Sequence, residues 1–226
     1  MYTEIELHHA FSTKMLNNNF DIVRGDKTIN LNDVVLKAER GWIVRPSNTD
    51  YAEREVQWYL SQSLNVNDIP GGAPKIWKEV ATPEGIINSN YGWCIFSAEN
   101  GKQYDCCVDS IARDLKTRRG VMIYTRPSMQ TEYNKDGMND FMCTHYVHVI
   151  YEDEHGFPKL LYLVYQRSCD AVFGYNNDWY WHKFVADKLS EELKSKKIIP
   201  SGTETEIRFH FGSVHVYERH FKYLEV

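Results

Sequence analysis

Two apolar, β-rich runs, residues 141–151 and 159–166, stand on either side of Asp153-Glu154-His155-Gly156. Val, Ile, Tyr and Phe favour extended chain, and a polar turn ending in Gly between two such runs predicts an antiparallel hairpin. The next periodic segment, about 178–197, sets Phe184, Val185, Leu189 and Leu193 inward at helical spacing, and a further strand region spans 204–217. With the helices expected upstream, these segments point to an α+β fold built on a mostly antiparallel or mixed sheet.

Upstream, residues 3–16 read as a short helix that the Asn17-Asn18-Asn19 run breaks. Segments 28–37 and 41–45 read as strand-like, and Pro46-Ser47-Asn48 marks a loop with Asp50 as the cap of the next helix. That helix, about 51–62, carries Tyr51, Glu55, Trp58 and Tyr59 at spacings of three and four, which places an acid on an aromatic face. The Pro- and Gly-rich stretch 68–92 is expected to be an ordered loop anchored by Ile76-Trp77. Tyr104, Cys107, Val108, Ile111 and Leu115 form a helical stripe, and Arg118-Arg119-Gly120 leads into a strand from Val121 to Tyr124.

A length of 226 residues lies within the reach of one domain, and a single domain over 1–226 is expected. The net charge of −5 argues against a nucleic-acid surface, so any phosphate must be met by a local cluster of cations. Five cysteines without CxxC spacing, and with no secretory segment ahead of them, suit free thiols in a reducing cytoplasm. No apolar run approaches the roughly 20 residues that span a bilayer, so a membrane role is not expected. His145 and His148 lie three apart in a strand, on opposite faces, which disfavours a metal pair.

The residues richest in chemistry cluster at the two ends of the hairpin. Cys143 sits in Phe141-Met142-Cys143-Thr144-His145 at the start of the first strand, and the second strand runs out into Tyr165-Gln166-Arg167-Ser168-Cys169-Asp170. An Arg, a hydroxyl and an acid at one strand end can grip a phosphate and a polar heterocycle. Taken alone, Cys143 reads first as a small core hydrophobe and Arg118-Arg119 as a solvated pair, and Glu55 can be read as a partner for Arg54. His215 and Tyr217, two apart in a strand, leave the same face.

The stretch Tyr165 to Gly174, YQRSCDAVFG, resembles the phosphate-binding signature of thymidylate synthases. Glu55 with Trp58, Ile76-Trp77, Asn90-Tyr91-Gly92, Arg118-Arg119, Cys143 and His215-Val216-Tyr217 match the family in order, over roughly residues 20–220. Within the family, the runs KIWKEVATPEGIINSNYGW, RRGVMIYTRPSM, YNKDGMNDFMCT and VFGYNND are similar to the phage deoxycytidylate hydroxymethylase branch. The resemblance implies a thymidylate-synthase-like domain with a mixed sheet covered by helices, paired sheet to sheet as a homodimer. It also implies 5,10-methylenetetrahydrofolate as cosubstrate, a pyrimidine deoxynucleoside monophosphate as acceptor, and no metal. Cys143 becomes the nucleophile at ring carbon 6, its thiol lowered toward neutrality by the field of Arg167. Glu55 becomes the general acid/base. Arg167 and Ser168, with Arg24, would bind the phosphate, and Arg118 and Arg119 would reach the partner's site. His215 and Tyr217 would hold the ribose, Gly174 would admit the base, and Trp77, Tyr91 and Asp170 would line the folate side.

Asp178 stands where thymidylate synthases carry Asn. A neutral amide complements uracil, whereas a carboxylate can accept from the amino group of cytosine and stabilise a ring protonated at nitrogen 3. Asp178 also suits a helix N-cap, and Asn177, one position earlier, would give a uracil-like preference in a slipped register. Water must reach the carbon for hydroxymethylation and be excluded for methylation; the nine residues after Tyr217 lead to the expectation of water access and a hydroxymethyl product. His145 leans toward the synthase. Methylation of dUMP or dCMP, and a non-catalytic nucleotide- or RNA-binding role, remain the alternatives. The expected setting is the cytoplasm of an infected host cell, with a viral nucleotide-synthesis complex as a further partner.

Overall fold

The computed structural model describes residues 1–133 and 135–224, so Asn134 of the YNKDGMNDFMCT block and the last two residues lie outside the described residues. The chain opens with α1 (Glu4–Leu16), whose first turn is closed by a capping box between Thr3 and Glu6. Strands β1 (Asp21–Val23) and β2 (Asp26–Ala38) form a hairpin around Arg24-Gly25, with positive φ at both. Helix α2 (Thr49–Ser61) follows, then α3 (Lys75–Val80), α4 (Tyr91–Phe96), α5 (Gln103–Arg113), β3 (Val121–Ile123) and α6 (Met129–Glu132). The C-terminal half holds β4 (Thr144–Glu154), β5 (Phe157–Gln166), β6 (Cys169–Asp170), α7 (Gly174–Ser195) and β7 (Glu204–Tyr217).

Among the described residues seven strands make one mixed sheet in the order β1-β2-β7-β5-β4-β3, with β6 added beside β7. The hairpin of β4 and β5 turns at His155-Gly156. Both residues have positive φ, as a two-residue turn of this kind requires. Helix α7 carries the chain from β5 and β6 back to β7, which pairs in parallel with both. Val147, Val149, Tyr162, Val164, Phe209 and Phe211 point to the helical side of the sheet and are buried with Val185, Leu189 and Leu193 of α7. Full burial of a side chain such as Phe209 contributes about 1.5–3 kcal/mol. The other face carries a ladder of stacked rings, Tyr146 on Tyr165 and Tyr165 on His210, each pair with centroids 4.4 Å apart.

Several expectations need correction. Residues 41–45 form no strand: the chain there is irregular, Ile43 is buried in the core, and Arg40 lies over the ring of Trp42. The N-cap of α2 is Asn48, whose side chain accepts from Tyr51 N, while Asp50 is in the first turn and pairs with Arg54. The stretch 68–92 is not all loop, since it contains α3; Ile76 is 60% exposed, so Trp77 alone is the anchor. Helix α7 begins at Gly174, four residues before Asp178, so Asp178 lies in the second turn and caps nothing. Cys143 lies just ahead of β4 rather than within it.

Candidate active site

The end of the β4–β5 hairpin brings the Cys143 segment against the run-out of β5. Thr144 pairs with Gln166, and Arg167 N donates to Cys143 O at 3.0 Å. A register shift between Thr144 and Tyr146 bends the strand here, a common device for re-aiming a side chain. The Arg167 guanidinium donates from Nε to Met142 O at 3.0 Å and from an Nη to Phe141 O, and it stands 3.8 Å from Cys143 Sγ. Among the described residues Arg167 makes no ion pair with a carboxylate, and its fork is held by carbonyls while its field reaches the buried carboxyl of Asp140.

The Cys143 thiol is not lowered toward neutrality as expected; it is pushed up to about 11. Burial is the largest cause, the field of Arg167 opposes it, and the nearby carboxyls Asp178 and Asp140 add to the rise. Asp140 is itself buried and gathers the loop before α4, accepting from the backbone N–H groups of Asn88 and Ser89 at 2.8 Å each.

Asp178 faces this cluster from α7. Its Oδ2 accepts from Gln166 Nε2 at 2.8 Å, and burial pushes its carboxyl up to about 7, with Glu55 reinforcing the rise. Asn177 is one helical step around, and the slipped register is not the one that meets Gln166. Glu55, on α2, is 4% exposed and accepts through Oε1 from Tyr51 OH at 2.6 Å and from Trp77 Nε1 at 2.9 Å. Burial raises its carboxyl while these two donors oppose the rise. Arg54 pairs with Asp50 and with Pro70 O, not with Glu55. Tyr91, at the start of α4, is buried against Tyr59 and receives the Thr144 hydroxyl at 3.1 Å. Gly92 lets α4 close on α2, since a Cβ there would fall 1.9 Å from Tyr59 O.

Asp170 and His215 are register partners across β6 and β7. Asp170 Oδ1 accepts from Val172 N at 2.9 Å, and burial raises its carboxyl. The rings of His215 and Tyr217 lie 4.9 Å apart on one face, and burial together with Arg167 and Arg219 pushes His215 down to about 4. Ser168 is half-buried beside Arg167. Gly174 opens α7, and a Cβ there would make only ordinary contact with Asp170 at 3.4 Å, so the protein itself does not require glycine. Arg24 is exposed in the β1–β2 turn. Arg118 and Arg119 are exposed between α5 and β3, and among the described residues no hydrogen bond or ion pair joins either to the Cys143 cluster.

Three residues here were not foreseen. Gln166, Thr144 and His182 form a buried polar string behind Asp178. Gln166 sits inside the YQRSC signature, but the partners that give it meaning are far away in sequence. Among the described residues no group of three His, Cys, Asp or Glu side chains is arranged to hold a metal ion, and no helix is long and apolar enough to cross a membrane.

Comparison with known proteins matches the thymidylate synthase family model over residues 44–226. The deoxycytidylate 5-hydroxymethyltransferases of Enterobacteria phages T4 and T2 are each 45% identical over 218 residues, covering 96% of this chain and 87% of the relative. A thymidylate synthase of Francisella philomiragia is 24% identical over 180 residues, 74% of this chain and 61% of that protein. Among solved structures, the thermostable thymidylate synthase A of Bacillus subtilis superposes with a TM-score of 0.68 at 19% identity, covering 99% of this chain and 83% of that one. The chain belongs to the thymidylate synthase family.

Proposed function

We propose that the chain transfers a one-carbon unit from 5,10-methylenetetrahydrofolate to carbon 5 of dCMP and releases 5-hydroxymethyl-dCMP, the chemistry for which its phage relatives are named. The observation that carries this reading is the carboxyl of Asp178, hydrogen-bonded to Gln166 on the same cluster as Cys143.

The phosphate of dCMP is met by Arg167 and Ser168 with Arg24 of the same chain, and by Arg118 and Arg119 of a second copy docked sheet to sheet. A guanidinium fork matches phosphate oxygens in pairs, which a lysine cannot do. His215 and Tyr217 take the sugar hydroxyl, and the backbone at Gly174 lies along the base. Asp178 accepts from the cytosine amino group and shares its proton with ring nitrogen 3. As that proton moves to the ring, the Cys143 sulfur adds at carbon 6 and electron density shifts to carbon 5. Binding of the dianionic nucleotide and this proton transfer must offset the cost of forming a thiolate at a site where burial holds the thiol at about 11.

The folate supplies the electrophilic carbon. Asp170, whose carboxyl accepts from Val172 N and is also held by the backbone N–H of Phe173, suits the pterin edge as an acceptor for ring N–H donors, and Trp77 and Tyr91 flank it. Both protein donors to Glu55 fall on Oε1, which leaves Oε2 for water. Carbon 5 bonds to the folate carbon as one of the two bonds from that carbon to folate nitrogen breaks. Carbon 5 then gives up its proton and tetrahydrofolate leaves through the second carbon–nitrogen bond. Glu55 takes a proton from the water that adds to the freed methylene, and the Cys143 sulfur departs as the ring re-forms. The setting is the infected host cell, as the phage relatives suggest.

Incubation with methylenetetrahydrofolate and either dCMP or dUMP, read by product mass and by dihydrofolate absorbance, tests the reading. Hydroxymethyl-dCMP without dihydrofolate is expected; a methylated product with stoichiometric dihydrofolate, or conversion of dUMP alone, overturns it.

A further inference from the structure

Behind Asp178 lies a histidine that the proposed chemistry does not use. His182 is fully buried on α7, one turn beyond Asp178, among the rings of Tyr91, Tyr124, Tyr162 and Phe209. Burial pushes its imidazole down to about 3, so it is neutral and offers one donor and one acceptor. Its Nδ1 is 3.4 Å from Tyr162 OH and its Nε2 is 3.5 Å from Thr144 Oγ1. Thr144 Oγ1 in turn accepts from Gln166 Nε2 at 3.0 Å, and the same Nε2 donates to Asp178 Oδ2 at 2.8 Å. Both amide hydrogens of Gln166 are thereby spent, and among the described residues its Oε1 is buried with no partner.

We infer that His182, acting through Thr144, fixes the orientation of the Gln166 carboxamide and so sets the hydrogen-bonding polarity of the edge that Asp178 presents to the base. The inference rests on the reading of Asp178 as the group that meets the pyrimidine. A hydroxyl has one proton. With the imidazole hydrogen on Nδ1, toward Tyr162, the Nε2 lone pair and the Tyr91 oxygen are the two places that proton can go. Either choice leaves a hydroxyl lone pair toward Gln166, which only the N–H side of the amide can satisfy. Asp178 cannot enforce the same orientation throughout a turnover in which it gives up and regains a proton, because as a neutral acid it can donate as well as accept. The amide N–H then holds Asp178 Oδ2 as an acceptor and leaves Oδ1 to meet the base. Such an edge suits the exocyclic amino group of cytosine and opposes the carbonyl of uracil. Thr144 and His182 are positioning residues, and Gln166 is a determinant of base choice.

Dissociation constants of dCMP and dUMP, measured by calorimetry on the full chain, test this. Thr144→Val keeps the volume but frees the amide to turn, and the ratio of the dUMP to the dCMP constant is expected to fall by about tenfold. His182→Phe, which fits among the surrounding rings, is expected to lower the ratio in the same direction by about threefold. Thr144→Ser keeps the hydroxyl and is expected to hold the ratio within about threefold of the unmutated protein. If Thr144→Val and His182→Phe weaken both nucleotides alike, or only lower the melting temperature, the residues are merely structural and the inference fails. It fails equally if Thr144→Ser collapses the ratio as Thr144→Val does. An unmutated protein that converts dUMP and not dCMP defeats the proposed function instead, and the ratios still report whether Thr144 and His182 control the choice.

Discussion

The guanidinium of Arg167 stands 3.8 Å from the sulfur of Cys143, yet burial outweighs its field and the thiol is pushed up to about 11. The proposed nucleophile is therefore latent. At neutral pH its thiolate fraction is about a hundredfold below that of an ordinary cysteine, and its alkylation by iodoacetamide is expected to be slower by a similar factor. Peptide mass mapping of the alkylation rate against pH checks this: the Cys143 rate rises up to about pH 11.

Asp178→Asn tests the carboxyl twice. Turnover is expected to pass from dCMP to dUMP, because an amide complements uracil. Stability responds separately. The carboxyl is raised from 3.8 to about 7, so the folded state holds this proton more tightly, and the benefit, fully present below pH 3.8, is lost as pH rises through about 7. The Asn variant therefore gains on the unmutated protein between about pH 4 and pH 8, by at most roughly 4 kcal/mol and by less for a partly exposed group, as urea unfolding at the two pH values would show.

Glu55→Gln keeps the donors Tyr51 and Trp77 within reach of an oxygen but removes the proposed base. The expected result is a kcat lower by about 100- to 10,000-fold with little change in dCMP binding, measured by steady-state kinetics and calorimetry. A loss of binding with kcat preserved would assign Glu55 to substrate affinity instead.

Shared sites can be read by mixing. Neither Cys143→Ala nor the Arg118→Ala/Arg119→Ala double variant is expected to turn over alone. If each site takes its arginines from a second copy, an equal mixture recovers about a quarter of the unmutated rate after subunit exchange, because heterodimers own one complete site. Absence of recovery, with dimers confirmed by light scattering, would place the two arginines outside the site.

The long elements were legible in the sequence because they rest on local signals. The β4–β5 hairpin has its apolar runs and turn, and α7 and β7 have their periodicity. What escaped depends on distant partners. Residues 41–45 look extended, but a strand needs a neighbour to complete its ladder, and here Ile43 enters the core while the backbone stays irregular. Strand β1 was missed because all three of its residues are exposed and carry no alternation. Asp178 passes for a cap because acids favour helix starts; that α7 begins four residues earlier, at a Gly with no side-chain cap ahead of it, has no local sign. The pKa of Cys143 is a balance between burial and one arginine, and it exists only once the chain has folded. Gln166 gains its role from Thr144, 22 residues away, and Asp178, 12 away.

The proposed covalent bond between Cys143 and the pyrimidine can be trapped. With 5-fluoro-dCMP and methylenetetrahydrofolate, the fluorine cannot leave carbon 5 as a proton does, so the adduct should persist. Intact-protein mass spectrometry is expected to show the chain heavier by nucleotide plus folate, with the addition mapped to the peptide containing Cys143 and absent in Cys143→Ala. An unmodified mass under conditions where the protein turns over dCMP, or an adduct on another residue, would contradict it.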